Sequence, residues 1–88
     1  MQFLDYEVNT RPGDLIHVAL RGNEANVRVM DDLNFMNYRS GRQFQYFGGH
    51  YRQSPVNIPA PGLGRWHVVI DLGGYGGSVE AAVRVISN

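Results

Sequence analysis

The 88-residue chain predicts an all-β fold: a compact β-sandwich of jelly-roll-like type, or a partly open barrel, with seven to eight short strands and one short helical turn. Three observations point there. Proline and glycine punctuate the chain at short intervals. The segments between these breaks run about five to ten residues, the length of strands in an all-β domain. Within the segments, apolar residues recur at every second position rather than at helical spacing.

Leu4, Tyr6 and Val8 alternate with Phe3, Asp5 and Glu7, which predicts a first strand. Arg11-Pro12-Gly13-Asp14 is a turn: proline presets φ, and glycine tolerates a positive φ. In Asp14 to Arg21, the residues Ile16, Val18 and Leu20 share one face. Arg21-Gly22-Asn23 is a second turn, and Val27 and Val29 then alternate with Asn26, Arg28 and Met30. Asp31 to Gly41 is polar with Phe35, Met36 and Tyr38 embedded, which fits one or two helical turns stopped at Gly41. Asp31 and Asp32 are placed to cap that turn with negative charge.

Arg42 to Tyr46 reads as a strand, with Gly48-Gly49 as a break after it. Pro59-Ala60-Pro61-Gly62 is a further break. In Arg65 to Leu72, Trp66, Val68 and Ile70 lie on one face and His67, Val69 and Asp71 on the other. The run from Gly73 to Gly77 is expected to form a hairpin between two strands. Ser78 to Ile86 fits either a helix (Val79, Ala82, Val83 and Ile86) or a strand (Val79, Ala81, Val83 and Val85), and its β-branched content favours the strand. Each strand is read with one buried face. Trp66, Phe44, Tyr46, Phe47 and Phe3 are the expected core anchors, since an aromatic side chain buries on the order of 150–250 Å².

Composition bounds the function. The chain has eight arginines, no lysine, eight acids and a formal net charge of zero, which argues against nucleic acid as the partner. The absence of cysteine removes disulfides, thiolate nucleophiles and Cys-based zinc sites. No run approaches the roughly 18 apolar residues of a membrane span, and the N-terminus carries no secretory signal pattern. The expectation is one soluble cytoplasmic domain over residues 1–88, with no membrane partner and no cofactor.

Motifs for chemistry are sparse. Gly74 and Gly76 begin a G-x-G-x-x-G pattern, but position 79 is Val, and a phosphate loop of Walker type needs a lysine. No serine sits in a nucleophile elbow. His17, His67 and Asp71 could meet across a sheet as a three-ligand metal site, which is the enzymatic alternative. The densest region is Asn34 to Arg52, where six aromatic residues interleave with Arg39, Arg42, Arg52 and His50. Aromatic rings beside guanidinium groups suit ligand and partner recognition. The candidate binding surface is therefore Asn34, Tyr38, Arg39, Arg42, Tyr46, Gly48, Gly49, His50 and Tyr75, offered to a protein or small ligand. A third reading is a self-associating subunit that pairs through exposed sheet edges.

Two resemblances add to this. Val29 to Gly41, with Trp66 to Asp71, resembles a pattern of bacterial jelly-roll-like sandwiches, which speaks to fold alone. Gly22-Asn23-Glu24-Ala25-Asn26-Val27-Arg28, Tyr46-Phe47-Gly48-Gly49-His50 and Val69-Ile70-Asp71-Leu72-Gly73-Gly74-Tyr75 together resemble a small bacterial domain-of-unknown-function family. That family occurs alone and fused to TIR domains. The resemblance implies a non-catalytic binding or sensing module. It implies no catalytic residues and no NAD-consuming activity, because this chain has no TIR domain.

Overall fold

The computed structural model describes residues 2–87. Its elements are β1 (Phe3–Thr10), β2 (Leu15–Gly22), β3 (Ala25–Met30), α1 (Asp32–Arg39), β4 (Phe47–Tyr51), β5 (Val56–Pro59), β6 (Gly64–Asp71) and β7 (Val79–Ile86). Two sheets form, a four-stranded one ordered β1-β6-β3-β4 and a three-stranded one ordered β5-β2-β7. Every strand pairing is antiparallel. The architecture is a sandwich and not a closed barrel, since among the described residues no ladder joins β1 to β7 or β4 to β5.

Alternation built the inner faces as expected. Ile16 and Val18 of β2 face Val27 and Val29 of β3 and Val68 and Ile70 of β6, and all are essentially inaccessible to water. Each such side chain contributes on the order of 1.5–3 kcal/mol of transfer free energy. The segment from Ser78 resolves as strand β7, paired along its whole length with β2. Its inward residues Val79, Ala81, Val83 and Val85 pack against the core, and the β-branching of the three valines suits that surface better than a helix.

Helix α1 forms after Asp31, as the acid pair predicted. The Asp31 carboxylate accepts the Asn34 backbone N–H at 2.9 Å, satisfying an orphan donor of the first turn. Asp32 places negative charge in that turn and Arg39 positive charge in the last.

Four expectations need correction. The core between the sheets is aliphatic, and Tyr46 and Phe47 are not its anchors, being 42% and 55% exposed. Arg42 to Tyr46 is irregular, and the strand begins at Phe47 and runs through Gly48-Gly49. The cause is the helix: the Asn37 carbonyl takes the Arg42 N–H at 2.8 Å and the Asn34 side-chain oxygen takes the Gln45 N–H at 2.8 Å. Gly73 to Gly77 is not a hairpin within a sheet but a crossover from β6 in one sheet to β7 in the other. Strand β5 went unrecognised, because it has only four residues between proline-flanked turns. Gly48 is required where it stands: with φ +121°, a Cβ there would lie 2.1 Å from the Val27 carbonyl oxygen.

The outer face of the four-stranded sheet is covered as well. Residues 67, 69 and 71 of β6 pair in register with Glu7, Asp5 and Phe3 of β1 and with Met30, Arg28 and Asn26 of β3. Helix α1 lies over this row through Phe35 and Tyr38, which bury against Met30 and Val69. So β6 is buried on both sides.

Candidate functional site

Beneath α1 the covered face is strongly polar. Asp71, 1% exposed, accepts four hydrogen bonds. Its Oδ1 takes Asn26 Nδ2 at 2.8 Å and the Gly73 backbone N–H at 2.9 Å. Its Oδ2 takes Arg28 Nη1 at 2.7 Å and the Tyr38 hydroxyl at 2.6 Å. Burial pushes this carboxyl upward, but the bonds from Asn26, Tyr38 and Gly73 and the Arg28 charge outweigh it, so the net shift is downward. Tyr38 is pushed upward by burial and by its bond to the neighbouring carboxylate. Both acceptor oxygens of Asp71 are committed, which suits an anchor and not a free general base.

A second cluster lies under the start of the helix. His67, 5% exposed, has Nδ1 at 3.0 Å from Asp5 and Nε2 at 2.7 Å from Asp32. Its ring stacks on Phe35 with centroids 4.0 Å apart. Asp32 also takes Arg65 Nη2 at 2.7 Å. The bonds from Arg65 and His67 lower the Asp32 carboxyl, and the same Asp32 contact raises Arg65. These contacts clamp β1, β6 and α1 together.

On the side of the helix facing β3 and β4, the polar network passes into aromatic surface. The Arg28 guanidinium lies 5.7 Å from the Phe44 ring centroid and 5.1 Å from that of Tyr46. Phe44 meets Tyr38 edge-on at 5.1 Å. Beyond them, a shallow cleft of about 520 Å³ opens between α1 and Trp66. Its walls include Phe44, Tyr46, Phe47 and Trp66, and its polar rim is Asp31, Asn34 and Gln45. Phe47 meets Trp66 edge-on with centroids 6.4 Å apart. Another cleft of about 520 Å³ lies by the ends of β1 and β7, between Leu4, Leu72 and Val79. Phe3 is the one aromatic residue in its lining. Apolar walls with a few placed polar groups are what small ligand sites use, and the four-ring cleft fits that description better.

The structure brings only part of the predicted surface together. Asn34 and Tyr46 line the cleft. Tyr38 is buried behind it on Asp71, and so positions and does not touch. Gly48 and His50 of β4 share the helix-side face with Asn26 and Arg28, and His50 Nδ1 lies 3.0 Å from the Asn26 side-chain oxygen. Gly49 is on the opposite face of that strand, opposite Val27. Arg39 sits over Phe35, toward β6. Arg42 is in the exposed turn after the helix. Tyr75, 83% exposed, is in the β6–β7 crossover. Sequence reasoning missed Arg28, Asn26 and Asp71 as one network. The signal was present as polar residues at alternate positions of β3 and β6, read as a solvent face.

The metal alternative does not assemble. His17 is in the three-stranded sheet, its Nδ1 2.8 Å from the Asn57 side-chain oxygen, on the opposite face of β2 from Ile16 and Val18. His67 and Asp71 are on the helix-covered face of the other sheet, four residues apart on one strand and each with separate partners. Among the described residues, no group of three or more His, Cys, Asp or Glu side chains could hold a metal ion. No helix among them is long and apolar enough to cross a membrane.

The fold and site define an antiparallel β-sandwich with a helix locked over one sheet and an aromatic cleft at the helix margin. The chain belongs to the family described as Domain of unknown function (DUF1883), whose model matches residues 1–88. No curated protein and no solved structure matches it.

Proposed function

We propose that this chain is a non-catalytic binding module, a single domain that receives a small ligand or a partner's side chain in the cleft between α1 and Trp66. One observation carries the reading: Tyr46 and Phe47 stay 42% and 55% exposed around that cleft, although a small fold gains most by burying such rings. The rings stand on a rigid base. Arg28 backs Tyr46 from the Asp71 network, and Asn34 holds Gln45. A preorganised site loses less entropy on binding. Flat aromatic walls favour a planar or apolar group, and on the rim the Asp31 carboxylate suits a hydrogen-bond donor and the Gln45 amide either a donor or an acceptor.

The resemblance to modules fused to TIR domains supports a bacterial sensing role in the cytoplasm, with binding at the cleft as the cue. The chain's single tryptophan lines the cleft, so its emission reports occupancy. Titration with a panel of nucleotides, oligosaccharides and proline-rich peptides should find a ligand that shifts Trp66 emission saturably. Tyr46→Ala should weaken that ligand at least tenfold, and Tyr75→Ala should not. A ligand bound equally by Tyr46→Ala and by wild type would remove the cleft as the site.

A further inference from the structure

The sandwich has four edge strands: β1 and β4 in one sheet, β5 and β7 in the other. Proteins guard exposed edges with charge, proline or covering elements. Strand β1 carries Asp5 and Glu7, and the Tyr6 hydroxyl bonds the Ala81 carbonyl of β7 at 3.1 Å across that seam. Strand β7 carries Glu80 and Arg84, and β5 ends in Pro59. Strand β4, Phe47-Gly48-Gly49-His50-Tyr51, has no Asp, Glu, Lys, Arg or Pro. Among the described residues its ladder runs to β3 alone.

We infer that the β4 edge pairs with β4 of a second copy of this chain, antiparallel about a two-fold axis at Gly49, making one continuous eight-stranded sheet. The strand is self-complementary about that residue. An axis at Gly49 sets Phe47 opposite the copy's Tyr51, Gly48 opposite its His50 and Gly49 opposite itself. Just beyond the strand, Tyr46 comes opposite the copy's Arg52. Aromatic pairs directly opposite each other stabilise antiparallel strands, and a guanidinium over a phenol ring adds a cation–π contact. Both contacts occur twice by symmetry. His50 meets a glycine, so no like charges face across the ladder. Phe47 is 55% exposed and Tyr51 half-buried against the core, and Arg52 is 80% exposed in an ion pair with Glu24. The inference shares Tyr46 and Phe47 with the cleft reading, but its test at Gly49 lies outside the cleft lining, so either can fail without the other.

Gly49 provides the test. It lies outside the positive-φ region, and a Cβ there meets nothing within 4 Å, so the first atom of a side chain is accommodated in the single chain. Sedimentation velocity from micromolar to millimolar chain should show wild type passing from monomer to dimer. Gly49→Glu and Gly49→Arg, each alone, place two like charges on the axis and should stay monomeric. An equimolar mixture of the two should restore the dimer. The chain has no cysteine, and directly opposite Cα atoms are about 4.5–5.5 Å apart in an antiparallel pair, within disulfide reach. Gly49→Cys should therefore cross-link to a covalent dimer on mild oxidation, should the charge variants fold poorly. Wild type monomeric throughout, a dimer indifferent to both charges, or a mixture that stays monomeric while Gly49→Cys fails to cross-link would overturn the inference.

Discussion

The two faces of β6 hold the molecule in different ways. One face, Val68 and Ile70, packs on aliphatic side chains of the opposing sheet. The other, His67 and Asp71, is buried to the same degree but among hydrogen-bonding partners. Aliphatic burial scales with area and tolerates repacking. Buried polar groups stabilise only while every partner is in place, and losing one strands the rest. The aliphatic face therefore holds the sheets together, and the polar face sets where the helix sits and, through Arg28, where Tyr46 stands.

The sharpest way to break this contrast is Asp71→Ala. It leaves the Arg28 charge unpaired beneath the helix and should cost about 3–5 kcal/mol in urea unfolding. The double variant with Arg28→Met should lie closer to wild type than Asp71→Ala alone, because no guanidinium charge is then left without its carboxylate, although Asn26 and the Gly73 N–H still lose their acceptor. A double variant whose loss equals the sum of the Asp71→Ala and Arg28→Met losses would mean the pair is not coupled. On the aliphatic face, Ile70→Ala should cost roughly 2–5 kcal/mol, the usual range for a buried isoleucine, and should leave the pH dependence of stability unchanged.

That pH dependence belongs to the polar face. The Asp71 carboxyl is held below its ordinary 3.8, so its contribution is present above that value and is lost as pH falls through the lowered one. Asp32 acts in the same direction. Tyr38 is raised above 10.0, so its contribution is present below that value and is lost as pH rises past it, where the unfolded phenol ionises first. Unfolding followed across pH should show both limbs. Asp71→Asn should shrink the acid limb without removing it, and Tyr38→Phe should flatten the alkaline one.

Two smaller effects sharpen the comparison. Asp31→Ala removes the cap of α1 and should cost about 1 kcal/mol, with Trp66 emission shifting as the helix margin loosens. Tyr46→Ala should stay within about 0.5 kcal/mol of wild type, since the ring is largely solvent-facing. A large loss there would make Tyr46 a core residue and count against the cleft as a binding site.

Much of the fold was legible in the chain. Strict alternation in Ile16-Val18, Val27-Val29 and Val68-Ile70 identified the inner faces, and Asp31-Asp32 marked the helix start. The candidate site was less legible. Asn34 and Tyr46, singled out by the density of aromatic residues and arginines, line the cleft, but Arg39 and Tyr75 have the same residue types and fall elsewhere. Composition reports which side chains a segment has, and not which side of a helix they meet.

What the sequence by itself determined are the features decided within a few residues: period-2 faces set by the pleat, turns set by proline and glycine, and a cap set by one carboxylate. The tertiary structure decided what those faces meet. Asn26 and Asp71 bond across 45 positions, and Tyr38 reaches Asp71 across 33. The segment from Arg42 to Tyr46 lost its strand form to the helix beside it. A covered polar face and a solvated one have the same alternation in sequence, and only the arrival of α1 makes the difference, because desolvation depends on what lies above the sheet and not on the order of residues within it.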